Sequence, residues 1–594
     1  MQAVSRRPLS GPRRWARHAS SPAWLARLLA LLGLVSLVSA LTPSLGERLA
    51  AIREVLPHFA PAAARAGTAA TGLVLLFLAR GLRRRKSRAW WAAVTLSGLA
   101  AVLHLVKGLD VEEATFAGVV LLLLVAGRRD FVARPDPRST RTVLWTAGSG
   151  LVLATSLGWL LLTLTGAREA PGTSAAERLE EAVFGLIGIP GPVRFVTQDA
   201  ADRAAVTLLI LGAAGLLTAL GVMLRPAGGP HTLTPSEEEE LRALIAGHGR
   251  VDSLSYFALR RDRSVIFSRS RKAAVSYRVV GGVSLAGGDP IGDPEAWPAA
   301  ISAWLEETTR FGWCPAVLGA STAGANAYHR AGFDAVEIGD EAVIEVDDFG
   351  LDGRRMRPVR QAVRRVERAG YRIRCDRVAE VGQAARDEAV HGADAWRNGA
   401  TERGFSMALG RFQDPQDDGC VMVRALDGNG RLRALMHFVP WGPDGLSLDL
   451  MRRDRSSENG TVEAMVAGLV SQAPRFGVTR LSLNFAVFRS VFERGERLGA
   501  GPVLRVWHAV LLQASRFWQI EALYRANAKY HPLWQPRYLC FVEARDLPRI
   551  GLVALRAEAF LRTPSWATLS GRRRASPPTS DLSGNHRPPP SQRP

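Results

Sequence analysis

The sequence predicts an N-terminal all-α polytopic membrane domain of about six helices, followed by an α+β soluble domain. Three observations predict it. Six long apolar runs fill the first 225 of 594 residues. From His231 onward, short alternating strands and amphipathic helices replace them. The charge is unevenly spread: the net is +21, but residues 1–225 carry +13, residues 226–560 carry +3 and residues 561–594 carry +5. With 47% hydrophobic residues the chain is no disordered polymer, and its length exceeds one small domain. Only four basic residues are lysine (Lys86, Lys107, Lys272, Lys529). Four scattered cysteines with no CxxC pair argue against a disulfide scaffold or zinc ribbon and for reduced thiols in the cytosol. No metal site is expected.

The apolar runs are Trp24 to Leu41, Ala62 to Ala79, Ala89 to Val106, Ala114 to Gly127, Val143 to Thr165 and Ala204 to Leu224. Most approach the ~20 residues that cross ~30 Å of hydrocarbon; the fourth is short. Basic residues alternate between loops. Sixteen lie before the first run and after the second and fourth, against seven in the other loops. The positive-inside rule then places the N-terminus, and everything after Arg225, in the cytoplasm. Val38-Ser39-Ala40 also resembles a signal-peptidase site, which leaves cleavage of the first run open. With no intramembrane Asp or Glu pair, this half reads as an anchor and a lipid-handling surface.

In the soluble half, Thr234-Pro235-Ser236-Glu237 opens a helix with proline and glutamates in its first turn. Strands are expected at Ser264 to Ser268, Ala273 to Val280 and the glycine-rich stretch from Gly281, with a helix at Ala296 to Phe311. The glycines Gly281, Gly282, Gly287 and Gly288 fit neither phosphate-binding fingerprint and read as turn geometry.

Three clusters carry chemistry. Arg354 to Arg374 contains nine arginines and one acid, Glu367. On a helix, Met356, Val359, Val363 and Val366 form an apolar stripe, and Arg357, Arg360, Arg364 and Arg368 form another face without neutralising acids. Such a row suits a phosphate backbone or headgroup. Around Leu446 to Arg453, strand alternation projects Ser447 and Asp449 to one side; Glu458, Asn459, Gly460, Thr461 and Glu463 follow, with Thr461 as a helix cap. These carboxylates suit a cationic amino acid or proton transfer, with salt bridges to Arg452 and Arg453 as the structural alternative. Finally, Tyr524 to Leu539 interleaves aromatic and basic groups, among them Lys529 and Arg537.

Together with Asp252 to Leu259, Val279 to Asp293, Phe405 to Phe412 and Leu483-Asn484-Phe485-Ala486, these clusters carry a resemblance. From about Leu233 to Glu543 the chain resembles the C-terminal catalytic domain of the multiple peptide resistance factor family, the aminoacyl-phosphatidylglycerol synthases, in the actinobacterial form often fused to a lysyl-tRNA synthetase. The resemblance implies a tandem acetyltransferase-like (GNAT) fold with its active site between two halves. The expected divisions are a basic N-terminus (1–22), a membrane domain (23–225), first and second halves (231–378 and 379–545) and a tail (546–594) disordered after 563. The implied activity transfers lysine from lysyl-tRNA to phosphatidylglycerol without a cofactor, raising membrane surface charge and resistance to cationic peptides. Alanyl-tRNA as donor, or a non-catalytic membrane-anchored lipid- or RNA-binding protein, are the alternatives.

The implied roles are as follows. Asp449 takes a proton or holds the amino acid's ammonium, and Asn484 donates to the oxyanion. Ser447, Glu458, Asn459 and Glu463 bind the amino acid. Arg357, Arg360, Arg364 and Arg368 bind tRNA. Arg452, Tyr524, Lys529 and Arg537 hold the lipid phosphate. Expected partners are aminoacyl-tRNA, phosphatidylglycerol, the bilayer, a separate synthetase supplying the donor, and a second copy of the chain in a homo-oligomer.

Overall fold

In the computed structural model, residues 14–41, 60–108, 110–128, 131, 139–165, 172–224, 232–397, 404–412, 414–487 and 526–561 are described. All six apolar runs are helical: α1 (Arg14–Leu41), α2 (Ala60–Arg83), α3 (Ser87–Gly108), α4 (Val111–Ala126), α5 (Ser139–Leu164) and, after the short α6 (Ala175–Gly185), α7 (Gln198–Met223). Among the described residues, four stretches are long and apolar enough to cross a membrane: Pro22–Ala40, Ser87–Val106, Thr142–Leu164 and Gln198–Met223. Many of their large side chains are exposed, including Leu144, Trp145 and Ile210, which suits an apolar surrounding and not water. Helices α1 to α4 share one core around Leu29, Leu75, Ala93 and Val120. Lys86, in the α2–α3 turn, is buried and donates to the carbonyl of Leu224 at the end of α7. A cation there complements the helix dipole, so this turn holds the last membrane helix where the soluble domain begins.

The soluble domain opens with α8 (Pro235–His248), whose capping box is complete: Thr234 Oγ1 accepts from the Glu237 N–H, and the Glu237 carboxylate accepts from the Thr234 N–H. Then come β1 (Ser264–Phe267), β2 (Ala273–Val280), β3 (Val283–Gly287), the two-residue β4 (Ile291–Gly292), α9 (Trp297–Phe311), β5 (Cys314–Ala320), α10 (Thr322–Arg330) and β6 (Asp334–Glu345). The β2–β3 hairpin turns on Gly281 and Gly282 at φ +54° and +76°, the positive-φ pair that a two-residue hairpin demands. After these come α11 (Arg357–Arg368), β7 (Arg372–Arg377), α12 (Gln383–Arg397), β8 (Val421–Leu426), β9 (Leu432–Trp441), β10 (Gly445–Arg453), α13 (Thr461–Gln472), β11 (Arg480–Val487), β12 (Leu533–Phe541) and α14 (Leu547–Ala557).

Among the described residues all twelve strands join one mixed sheet, in the order β1-β2-β3-β5-β12-β6-β11-β10-β9-β8-β7, with β4 against β2. The late strand β12 sits between β5 and β6, antiparallel to both. Strand β6 in turn pairs with β11, so the early and late parts of the domain are stitched at the centre of the sheet. One core packs α9 and α10 on the early strands, where Trp304 stacks on Phe333 at 6.0 Å and donates to Ser284 Oγ at 2.9 Å. Another packs α11 and α13 on the late strands through Val359, Met465 and Leu469.

Thr461, expected to cap α13, is its first helical residue: Gly460 is the N-cap, at φ +102°. A Cβ on Gly460 would lie 2.8 Å from that of Ala362, so α11 and the start of α13 touch where only glycine fits. The Thr461 hydroxyl donates instead to the Glu458 carbonyl at 2.6 Å.

Candidate functional site

The centre of the sheet has a gap. Strands β10 and β11 run parallel and pair only at Gly445–Arg480, Leu446–Leu481 and Ser447–Ser482; both then continue unpaired with each other. Bulges mark the parting, between Leu448 and Leu450 in β10 and between Ser482 and Phe485 in β11. Bulges re-aim side chains, and unpaired strand backbone offers donors and acceptors. Asp449 lies in one bulge and Asn484 in the other.

Asp449 does not project freely. Its Oδ2 lies 2.8 Å from His437 Nδ1 on β9, and its Oδ1 accepts from the Leu409 N–H at 2.6 Å. His437 is 2% exposed, and Phe412 stands edge-on to its ring. Burial opposes the imidazolium, yet the hydrogen bonds to Asp449 and Cys420 outweigh it and raise His437 to about 10. His437 is therefore held charged at neutral pH, and each Asp449 oxygen already has a protein partner. The bulge breaks the simple alternation that made Asp449 look accessible.

The segment around Leu409 is bound by charge along its length. Glu558 accepts from the N–H groups of Phe405 and Ser406 at 2.6 and 3.0 Å. Arg260 donates to the carbonyls of Gly404 and Ala408, and buried Arg263 to that of Phe405. Burial and the charge of Arg260 depress Arg263 to about 9. Residues 404–412 thus form a strap tied to β10 and to the residue after α14.

On the other side of the gap lies a buried ionic network. Arg537, expected at a lipid phosphate, is 2% exposed and fully engaged. It donates to Asp252 at 2.6 Å, Ser253 Oγ at 2.6 Å, the Gly319 carbonyl at 3.1 Å and Glu341 at 3.0 Å through Nε and again through Nη2. Burial works against its charge, but Glu341 and Asp252 hold its pKa above the ordinary value. Asp289 accepts from the Ser321 N–H and hydroxyl, and burial plus the Asp252 charge push it up to about 7. Ser447, expected at the amino acid, is wholly buried and donates to the Ser253 carbonyl at 2.8 Å.

The remaining expected residues divide. Glu463 and Lys529, assigned to different ligands, pair with each other at 2.6 Å on a half-exposed rim. The Glu458 N–H donates to the Tyr371 hydroxyl at 3.2 Å. Asn459 is exposed and Arg452 half-buried. Tyr524 lies outside the described residues. On α11, Arg357, Arg364 and Arg368 are exposed as expected. Arg360 differs: it folds back onto the carbonyls of Leu351 and Gly353 and secures the preceding loop.

Residues missed from sequence include His437, Glu341, Asp289 and Glu558. A lone histidine inside the apolar run Ala434 to Val439 was the available sign for the first.

Residues 242–541 match the family described as phosphatidylglycerol lysyltransferase, C-terminal, and residues 17–224 match the transmembrane region of lysyl-tRNA synthetase. The lysylphosphatidylglycerol biosynthesis bifunctional protein LysX of Rhodococcus opacus is 44% identical over 502 residues, covering 83% of this chain and 45% of that protein. LysX of Mycobacterium avium is 44% identical over 509 residues, covering 83% and 43%. The chain thus spans less than half the length of these relatives. Among solved structures, that of L-PGS from Bacillus licheniformis aligns over 56% of this chain and 98% of its own, with 22% identity and a TM-score of 0.49.

Proposed function

Because the chain belongs to the phosphatidylglycerol lysyltransferase C-terminal family, we propose that it is a membrane-anchored aminoacyltransferase that moves lysine from lysyl-tRNA to phosphatidylglycerol. The observation that carries this reading is the placement of α11: a row of exposed guanidinium groups with no ion-pair partner among the described residues, packed against the start of α13, in a domain joined directly to membrane helices.

The chemistry is transesterification. A glycerol hydroxyl oxygen attacks the ester carbonyl, the bond to the ribose oxygen breaks, and the hydroxyl proton ends on that ribose oxygen. The donor is already activated, so positioning supplies most of what the enzyme must add. Arg357, Arg364 and Arg368 hold acceptor-stem phosphates. The gap between β10 and β11 receives the aminoacyl group. The rim at Glu458, Asn459, Glu463, Lys529 and Arg452 faces the amino acid and the lipid headgroup; the Glu463–Lys529 pair opens to release one charge to each. Asp449 acts through His437 and Leu409 by fixing the strap, and Arg537 by fixing the sheet junction. The positive-inside pattern supports six crossings with this domain in the cytoplasm, where charged tRNA is found. The product lipid gains positive charge, which lowers the attraction of cationic peptides to the membrane.

Reversing two of the exposed charges, Arg364→Glu with Arg368→Glu, is expected to raise KM for lysyl-tRNA by about tenfold or more. It should also make the dependence of log K on log salt shallower by roughly 0.7 to 0.9 per lost phosphate contact. KM for phosphatidylglycerol in vesicles should not move. Unchanged KM and salt slope for tRNA would remove α11 from RNA binding.

A further inference from the structure

Asn484 lays its carboxamide across the parting of β10 and β11. Its Nδ2 donates to the Leu448 carbonyl across the gap between β10 and β11. A carbonyl oxygen only accepts, so this contact fixes which end of the carboxamide faces β10. One of the two Nδ2 hydrogens is thus committed, and Oδ1 is buried and has no hydrogen-bond partner among the described residues. Buried acceptors are rarely left unmade, so this one points to a ligand donor.

The backbone supports the same conclusion. Asn484 sits at φ +67°, the left-handed region, inside the β11 bulge. Asparagine adopts this conformation more readily than other non-glycine residues, so the residue type suits the bend. The bulge takes the side chain out of strand alternation and lays it across the gap.

The electrostatic surroundings specify the ligand's sign. The Asn484 N–H donates to Ser482 Oγ at 3.2 Å, and Ser482 donates to Glu341. Behind Glu341 stands Asp252, and Arg537 donates to both; Asp289 lies next to Asp252, whose carboxylate accepts from the Asp289 N–H. On the other flank, Asp449 is balanced by His437. Glu341 and Asp252 share a single guanidinium, so the carboxylates behind Ser482 favour a ligand cation that donates hydrogen bonds.

We infer that the Asn484 carboxamide oxygen receives an ammonium group of the aminoacyl donor, so that this residue selects for an amino acid ester. The inference rests on the aminoacyl-transfer reading above. A lysyl ester carries two such groups, α and ε, and both offer the same chemistry.

The test is a cycle of two enzymes and three donors. Wild-type full-length chain and Asn484→Gly, reconstituted in phosphatidylglycerol vesicles, receive tRNA esterified with lysine, with norleucine (no ε-ammonium) or with 6-aminohexanoic acid (no α-ammonium). Glycine suits φ +67°, so the variant keeps its backbone. If the α-ammonium is held, the variant loses about 10-fold to 100-fold in kcat/KM with lysyl and norleucyl donors, and little with 6-aminohexanoyl. If the ε-ammonium is held, the loss appears with lysyl and 6-aminohexanoyl donors and not with norleucyl. Either pattern supports the inference, and any folding defect cancels because it strikes all donors alike. Equal loss with all three, or none, overturns it. Failure of the transfer reading itself shows separately, as no product from any donor with the wild-type chain.

Discussion

Arg537→Leu is expected to bring the soluble domain to the edge of unfolding. The substitution deletes the one guanidinium that, among the described residues, meets Asp252 and Glu341, each nearly inaccessible to water. Removing one partner of a buried ion pair costs about 3–5 kcal/mol, because the abandoned charge stays desolvated. Here two carboxylates are abandoned, with Asp289 close behind. Against a typical stability of ~5–15 kcal/mol this is a large fraction. The loss is also topological: Arg537 lies on β12 between β5 and β6, and ties Ser253 and Gly319 to the same point. Arg537→Lys should fall between wild type and leucine, since an ammonium keeps the charge but cannot form the same fork of hydrogen bonds. Urea unfolding followed by tryptophan fluorescence checks both. A leucine variant with an unchanged midpoint would show that the network is not what holds the halves together.

The second large effect concerns Asp449 and its pH dependence. Asp449→Ala leaves His437 buried without its counter-ion and frees the Leu409 N–H. A loss on the order of 3 kcal/mol at pH 7 is expected, limited because the imidazole can shed its proton. The sign follows from linkage. His437 is raised from 6.5 to about 10 in the folded chain. Its contribution is therefore complete below pH ~6.5 and is lost as pH rises toward and through 10. Wild-type stability should decline over that window, and the decline should be markedly weaker in Asp449→Ala. Lysine transfer should fall steeply in the variant at every pH, because the 404–412 strap loses its anchor on β10. An alkaline stability profile identical in the two proteins would mean that His437 is not charged in the fold.

Much of this was legible in the residues. Apolar run length located the six long helices, since backbone satisfaction in lipid leaves few alternatives. The stripe of Val359, Val363 and Val366 against arginines located α11 and its exposed face. The glycines at 281 and 282 read correctly as a turn. What escaped was pairing across distance. Nothing local places β12 between β5 and β6, and only that insertion buries Arg537. Residue type alone favoured a phosphate ligand, and topology decided otherwise. Asp449 was singled out rightly as unusual, but its partner lies on the neighbouring strand, 12 residues earlier. The pairing of Glu463 with Lys529 likewise escaped, because only the fold brings them together across 66 residues.

The central claim is the transfer of an amino acid onto a lipid. Purified full-length chain in phosphatidylglycerol vesicles, supplied with pre-charged lysyl-tRNA, tests it by lipid mass spectrometry. The account predicts a new phosphatidylglycerol species heavier by one lysyl residue, formed only with chain and charged tRNA together. Unmodified phosphatidylglycerol, with lysyl-tRNA shown to remain charged and bound, would contradict it.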